Sequence, residues 1–175
     1  MVSATVATLS NSEHSSQHLC AALASILLDK HWLLATAESC TGGLISAACT
    51  DLAGSSAWFE RGFVTYSNAA KHDVLGVPAE LISQHGAVSE AVARAMAQGA
   101  LQRSAAQVAI AVTGVAGPTG GSAEKPVGTV WLAWALPNGV YSEHQIFAGD
   151  RTTVRAATVH RALSRVCELL SAPTC

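Results

Sequence analysis

A chain of 175 residues, half of them hydrophobic and 13% charged, is long enough to bury a core and too apolar for disorder. Its net charge of −2 lacks the basic footprint of a nucleic-acid binder, and no apolar run reaches the roughly 18–20 residues of a membrane span. The cysteines (Cys20, Cys40, Cys49, Cys167, Cys175) form no C-x-x-C pair and no basic-then-apolar leader opens the chain, so the expectation is a cytoplasmic protein without a disulfide framework.

Residues 1–16 are rich in Ser, Thr and Ala with little periodicity and read as a mobile N-terminal tail; residues 17–172 read as a single domain. Leu19, Ala22, Leu23, Ile26 and Leu27 follow the i, i+3, i+4 spacing of an amphipathic helix. Trp32 to Ala37 is a buried strand that stops at Glu38, and the double glycine after it leads into a helix over Leu44 to Ala48. A second strand is expected over Phe63 to Tyr66. Ser67 or Asn68 then caps a helix to Leu75, and Gly76-Val77-Pro78 breaks it and starts a short one. Ser89 caps a helix whose Val92, Ala95, Met96 and Gly99 share a face, and Gln107 to Val112 is apolar enough for a central strand. After a Gly- and Pro-rich segment from Gly114 to Gly128, strands over Thr129 to Leu136 and Val140 to Phe147 flank the turn Pro137-Asn138-Gly139. Asp150 caps a final helix with the stripe Val159, Leu163, Val166 and Leu170. This order predicts a three-layer α/β/α sandwich with a mixed, mostly parallel sheet and one C-terminal hairpin.

Three polar loops converge on the carboxyl edge of that sheet, where open α/β folds bind ligands. In Glu38-Ser39-Cys40-Thr41-Gly42-Gly43 the order strand, polar turn, glycines, helix sets Ser39 and Cys40 at a helix N-terminus, whose free amides can hold an oxyanion. Spacing alone leaves open whether Ser39 or Thr41 simply caps that helix, and whether Ser39 or Cys40 is the nucleophile. A thiol nucleophile wants a histidine base, and the motif holds none. The seven histidines show no metal-ligand spacing. In Gly62 to Lys71, Lys71 lies one turn into a helix. It is either an ordinary solvated lysine or a base freed of its proton by an apolar pocket, and Tyr66 beside it is a packed aromatic or a hydroxyl in the site. The loop from Thr113 and Gly114 through Thr119, Gly120, Gly121 and Ser122 is either a flexible connection or a ligand wrap. Arg151, with Arg155 one turn later, is a phosphate contact or part of a solvated basic face.

Five blocks in order, A-E-S-C-T-G-G (37–43), G-F-V-T-Y-S-N-x-A-K (62–71), H-G-A-V-S-E (85–90), T-G-V-A-G-P-x-G-G (113–121) and K-P-V-G-T-V-W (125–131), closely resemble the CinA C-terminal-domain family, above all its stand-alone nicotinamide-nucleotide amidases. The resemblance spans about Leu19 to Leu170. It implies an α/β/α homo-oligomer that hydrolyses nicotinamide mononucleotide to nicotinate mononucleotide and ammonia in pyridine-nucleotide salvage, with no metal and no cofactor. It maps the family's serine and lysine onto Ser39 and Lys71. On that reading the oxyanion and substrate fall to Cys40, Thr41, Gly42, Gly43, Tyr66, Thr113 and Gly114, and the phosphate to Thr119, Gly120, Gly121, Ser122 or Arg151. The alternative from another class is a non-catalytic nucleotide-binding or regulatory module linked to competence or DNA damage. The additional nucleotide-processing domain of larger family members has no counterpart in these blocks, so its activity is not implied.

Overall fold

The computed structural model describes residues 10–172. In chain order it contains α1 (Ser10–Lys30), β1 (Leu34–Glu38), α2 (Leu44–Thr50), a 3-10 turn (Ser55–Ala57), β2 (Phe59–Val64), α3 (Asn68–Leu75), α4 (Ala79–His85), α5 (Glu90–Gln102), β3 (Val108–Gly114), β4 (Thr129–Leu136), β5 (Gly139–Ile146) and α6 (Arg151–Ser171). The helix starts follow local chemistry: the side chains of Ser67, Ser89 and Asp150 accept from the amides of Ala70, Val92 and Thr153.

The strands lie in the order β2-β1-β3-β4-β5. β1 is parallel to β2 and β3, while β4 is antiparallel to β3 and β5, so the sheet is mixed and ends in the expected hairpin. Parallel pairing brings the carboxyl ends of β1, β2 and β3 to one edge, where the three polar loops emerge.

The two faces of the sheet differ in side-chain size. Leu34, Val108, Ile110, Val112, Leu132 and Trp134 point to one side and form a cluster with α1, α2 and α6. Ala35, Ala37, Ala109, Ala111, Ala133 and Ala135 point to the other, against Ala93, Met96, Ala97 and Ala100 of α5. Period-two alternation in the strands separates the sets. Small side chains on both partners let α5 lie close to the sheet, whereas the large face needs the wider α1 and α6 layer. Trp134 Nε1 donates to the Ala162 carbonyl at 3.0 Å, satisfying the indole where it crosses into α6.

Several boundaries differ from the sequence reading. α1 begins at Ser10, so residues 10–16 of the expected tail are helical; residues 1–9 lie outside the described residues. A helix start without an apolar stripe leaves no periodic signal. β2 runs from Phe59 to Val64 instead of over Phe63 to Tyr66. Its Glu60-Arg61-Gly62 centre breaks the apolar pattern because β2 is an edge strand, where charges discourage pairing with other chains. No helix among the described residues is long and apolar enough to cross a membrane.

Candidate active site

Alternation at the end of β1 sends Glu38 towards α2 and its neighbour Ser39 towards α3. The Glu38 carboxylate is fully buried and accepts six hydrogen bonds. Oε2 takes Thr41 Oγ1 at 2.7 Å and the amides of Gly43 and Ile45 at 3.0 Å each. Oε1 takes the Ser46 amide at 2.8 Å, Ser46 Oγ at 2.7 Å and Thr36 Oγ1 at 3.3 Å. Three of these donors are orphan amides at the start of α2, which has no side-chain cap of its own. The anion thus caps α2 from the preceding strand and folds the intervening turn over itself. Gly42 (φ 63°) and Gly43 (φ 101°) supply the left-handed backbone this requires.

Ser39 is held from the sheet side, its amide donating to the Val112 carbonyl at 3.0 Å, and its hydroxyl meets Lys71. The Ser67 cap sets α3 in register so that Lys71 points back to the carboxyl ends of the strands. Lys71 is 1% exposed, and its Nζ lies 3.0 Å from Ser39 Oγ, 2.9 Å from the Thr65 carbonyl and 3.3 Å from the Tyr66 carbonyl. No carboxylate pairs with it among the described residues. Burial, the dominant influence, pushes its ammonium below the usual lysine range. As an ammonium Lys71 donates to all three oxygens; a neutral amine would spend its two hydrogens on the carbonyls and turn its lone pair to the serine hydroxyl. A hydroxyl within hydrogen-bond reach of a desolvated amine is an arrangement that can support proton transfer between them.

Of the expected oxyanion donors, the turn leaves only some free. The Gly42 amide donates to the Ser39 carbonyl at 3.1 Å and the Gly43 amide to Glu38, so both glycines are occupied, against expectation. Among the described residues the Cys40 and Thr41 amides have no oxygen acceptor. The Cys40 thiol is buried and pushed up to about 11, chiefly by desolvation, although the amides of Cys40 and Thr41 pull the other way. A thiol so rarely ionised at neutral pH is a poor nucleophile.

The remaining predicted residues divide. Thr113 Oγ1 gives its single hydrogen to the Ala87 carbonyl at 2.9 Å; it ties β3 to the segment before α5 and is not the free donor expected of it. Gly114 is dictated by packing, since a Cβ there would lie 2.7 Å from the Thr129 carbonyl oxygen. Tyr66 is 60% exposed, and its hydroxyl accepts from Arg151 at 3.1 Å; Arg151 also donates to the Gly117 carbonyl at 3.1 Å. Arg151 therefore joins the second and third loops. Thr119, Gly120, Gly121 and Ser122 form an exposed stretch in which Ser122 bonds only Lys125, and no hydrogen bond links it to Ser39, Lys71 or Arg151. Two residues gain a place that sequence did not give them. Glu38 organises the turn, and Arg155 donates to the Thr41 carbonyl at 2.7 Å. The polar residue ending an apolar strand just before Gly-Gly was the signal for the first, and the one-turn spacing of Arg151 and Arg155 for the second. No cluster of three or more His, Cys, Asp or Glu side chains suited to a metal occurs among the described residues.

Comparison with known proteins places this geometry. The CinA C-terminal domain profile matches residues 16–170. A nicotinamide-nucleotide amidohydrolase PncC of Enterobacter agglomerans is 56% identical over 145 residues, covering 82% of this chain and 88% of that protein. The protein of the same name from Escherichia coli K12 is 56% identical over 129 residues, covering 73% and 78%. A putative competence-damage inducible protein of Symbiobacterium thermophilum is 54% identical over 154 residues, but the match spans 36% of its length. Among solved structures, the competence/damage inducible protein CihA from Agrobacterium tumefaciens superposes with a TM-score of 0.87 at 49% identity, covering 89% of this chain and 95% of that one. The chain belongs to the CinA C-terminal domain family.

Proposed function

We propose that this chain is a nicotinamide mononucleotide amidohydrolase that works by a metal-independent serine/lysine mechanism. The observation that carries the reading is the 3.0 Å approach of Ser39 Oγ to a buried lysine whose other contacts are two carbonyls. Its support in kind is that relatives matching most of this chain at 56% identity are named nicotinamide-nucleotide amidohydrolases.

In the first half-reaction Ser39 Oγ attacks the carboxamide carbon while neutral Lys71 takes the hydroxyl proton. The carbonyl π pair moves onto oxygen, and the Cys40 amide receives that charge; one such donor is typically worth about 3–4 kcal/mol. The C–N bond then breaks as Lys71 returns the proton to nitrogen, so that ammonia leaves and not amide ion. In the second half-reaction Lys71 takes a proton from water, the resulting hydroxide attacks the acyl ester, and the proton passes to Ser39 Oγ as nicotinate mononucleotide departs. Arg151, between Tyr66 and the Gly117 loop, is the candidate anchor for the phosphate. The reading carries with it a cytoplasmic homo-oligomer, as the family likeness implies.

The test is ammonia release from nicotinamide mononucleotide, nicotinamide riboside and nicotinamide, with Ser39→Ala as control. Hydrolysis of the mononucleotide by the wild type and none by Ser39→Ala is the expected result. Binding of the nucleotide without hydrolysis would replace the enzyme by a binding or regulatory module.

A further inference from the structure

Thr41, next to the Ser39-Cys40 pair, is fully buried and held from two sides. Its hydroxyl donates to Glu38 Oε2 at 2.7 Å, and its carbonyl accepts from the Arg155 guanidinium, also at 2.7 Å. An anion thus grips one end of the residue and a cation the other, while its own amide has no oxygen acceptor among the described residues. The bond from Arg155 spans 114 positions of sequence and is a direct hydrogen bond from α6 to the nucleophile turn. Among the described residues Arg155 Nε is buried without a partner, a cost that the side chain's other interactions must offset. A planar guanidinium keeps its N–H directions fixed where an ammonium would rotate.

We infer that Arg155 is a positioning residue: by holding the carbonyl of buried Thr41 it fixes the Ser39–Gly42 turn, and with it Ser39 Oγ and the Cys40 amide beside the reacting carbonyl. This rests on the serine amidohydrolase reading above. It gives Arg155 no contact with the substrate, and so separates it from Arg151, whose partners lie in the outer loops. Pre-organised donors matter most for the transition state and little for ground-state binding.

The experiment compares Arg155→Ala and Arg155→Lys with the wild type. Arg155→Ala lowers kcat for nicotinamide mononucleotide on the order of a hundredfold, the scale of a small misplacement of catalytic groups. KM stays within about threefold, the pattern of an interaction felt in the transition state. Added guanidinium ion restores part of the kcat of Arg155→Ala and none of that of Ser39→Ala. Labelling of Ser39 by a fluorophosphonate, whose oxygen occupies the same hole, slows in parallel and needs no nicotinamide substrate. If Arg155→Ala fails to fold by circular dichroism, Arg155→Lys carries the test, with a reduced kcat at unchanged KM. A raised KM with intact kcat, confined to the phosphorylated substrate, would make Arg155 a phosphate anchor and overturn the inference. Wild-type labelling rates in a folded Arg155→Ala protein would overturn it too. A wild-type chain that labels at Ser39 but leaves the mononucleotide intact removes the substrate assignment and leaves the labelling arm able to decide the role of Arg155.

Discussion

Replacing Glu38 by glutamine keeps the shape of the side chain and removes its charge, so it isolates what the buried anion contributes. Three donors converge on each oxygen. On the Oε2 side two are backbone amides, of Gly43 and Ile45, that cannot turn away. On the Oε1 side the Ser46 amide is fixed, but the Ser46 and Thr36 hydroxyls can reverse and accept. Glutamine therefore settles with its NH2 towards Ser46, leaving that amide unpaired at a cost of about 1–3 kcal/mol. The two retained amide bonds become neutral, each losing about 1 kcal/mol relative to a charge-assisted bond. The loss is about 3–5 kcal/mol, a large share of the roughly 5–15 kcal/mol by which a domain is stable. Urea unfolding followed by circular dichroism measures it, with the slope of the transition unchanged. A Glu38→Gln protein within about 1 kcal/mol of wild type would refute the assignment of these six bonds as the keystone of the turn.

Two further outcomes follow from the same geometry. Because Lys71 must be neutral to act, kcat/KM rises with pH to a plateau, with its half-maximum below the ordinary lysine value of 10.5. Between that midpoint and the unfolded value the unfolded chain holds the proton and the native one does not, so stability also rises with pH there, and Lys71→Met flattens that rise in a denaturation series. Cys40→Ala keeps activity within about threefold of wild type, since a thiol at about 11 is ionised in only about one molecule in ten thousand at pH 7. An inactive, folded Cys40→Ala beside an active Ser39→Ala would reverse the choice of nucleophile.

What could be read from the sequence was what depends on near neighbours. Ser67, Ser89 and Asp150 cap helices through residues three positions on, and Pro137-Asn138 turns the hairpin into Gly139, so local spacing sufficed. The protonation of Lys71 was beyond local spacing, because a lysine one turn into a helix is solvated or buried according to which layer covers it. Glu38 looked like the end of a strand; its role needs α2 folded back over it, with donors up to eight positions away. Arg155 shared its spacing with a solvated basic face, and only the packing of α6 against the turn separates the two. Composition gives the Gly-rich loop a ligand-binding character, but it cannot show that Gly114 is required by packing or that Ser122 closes a local turn.

The alanine face of the sheet has a consequence for how this protein fails under stress. Lys71, Leu75 and Val77 are all nearly inaccessible, and Leu75 and Val77 pack with α5 against that face, on the side of the sheet to which Ser39 turns. The sheet's buried side chains in that layer are all alanine and have few contacts to spare, so slight swelling there would admit solvent before the strands part. Hydration would restore the amine's affinity for its proton and switch off the base. Heating or mild denaturant should therefore silence the site while the sheet's spectroscopic signature is still intact.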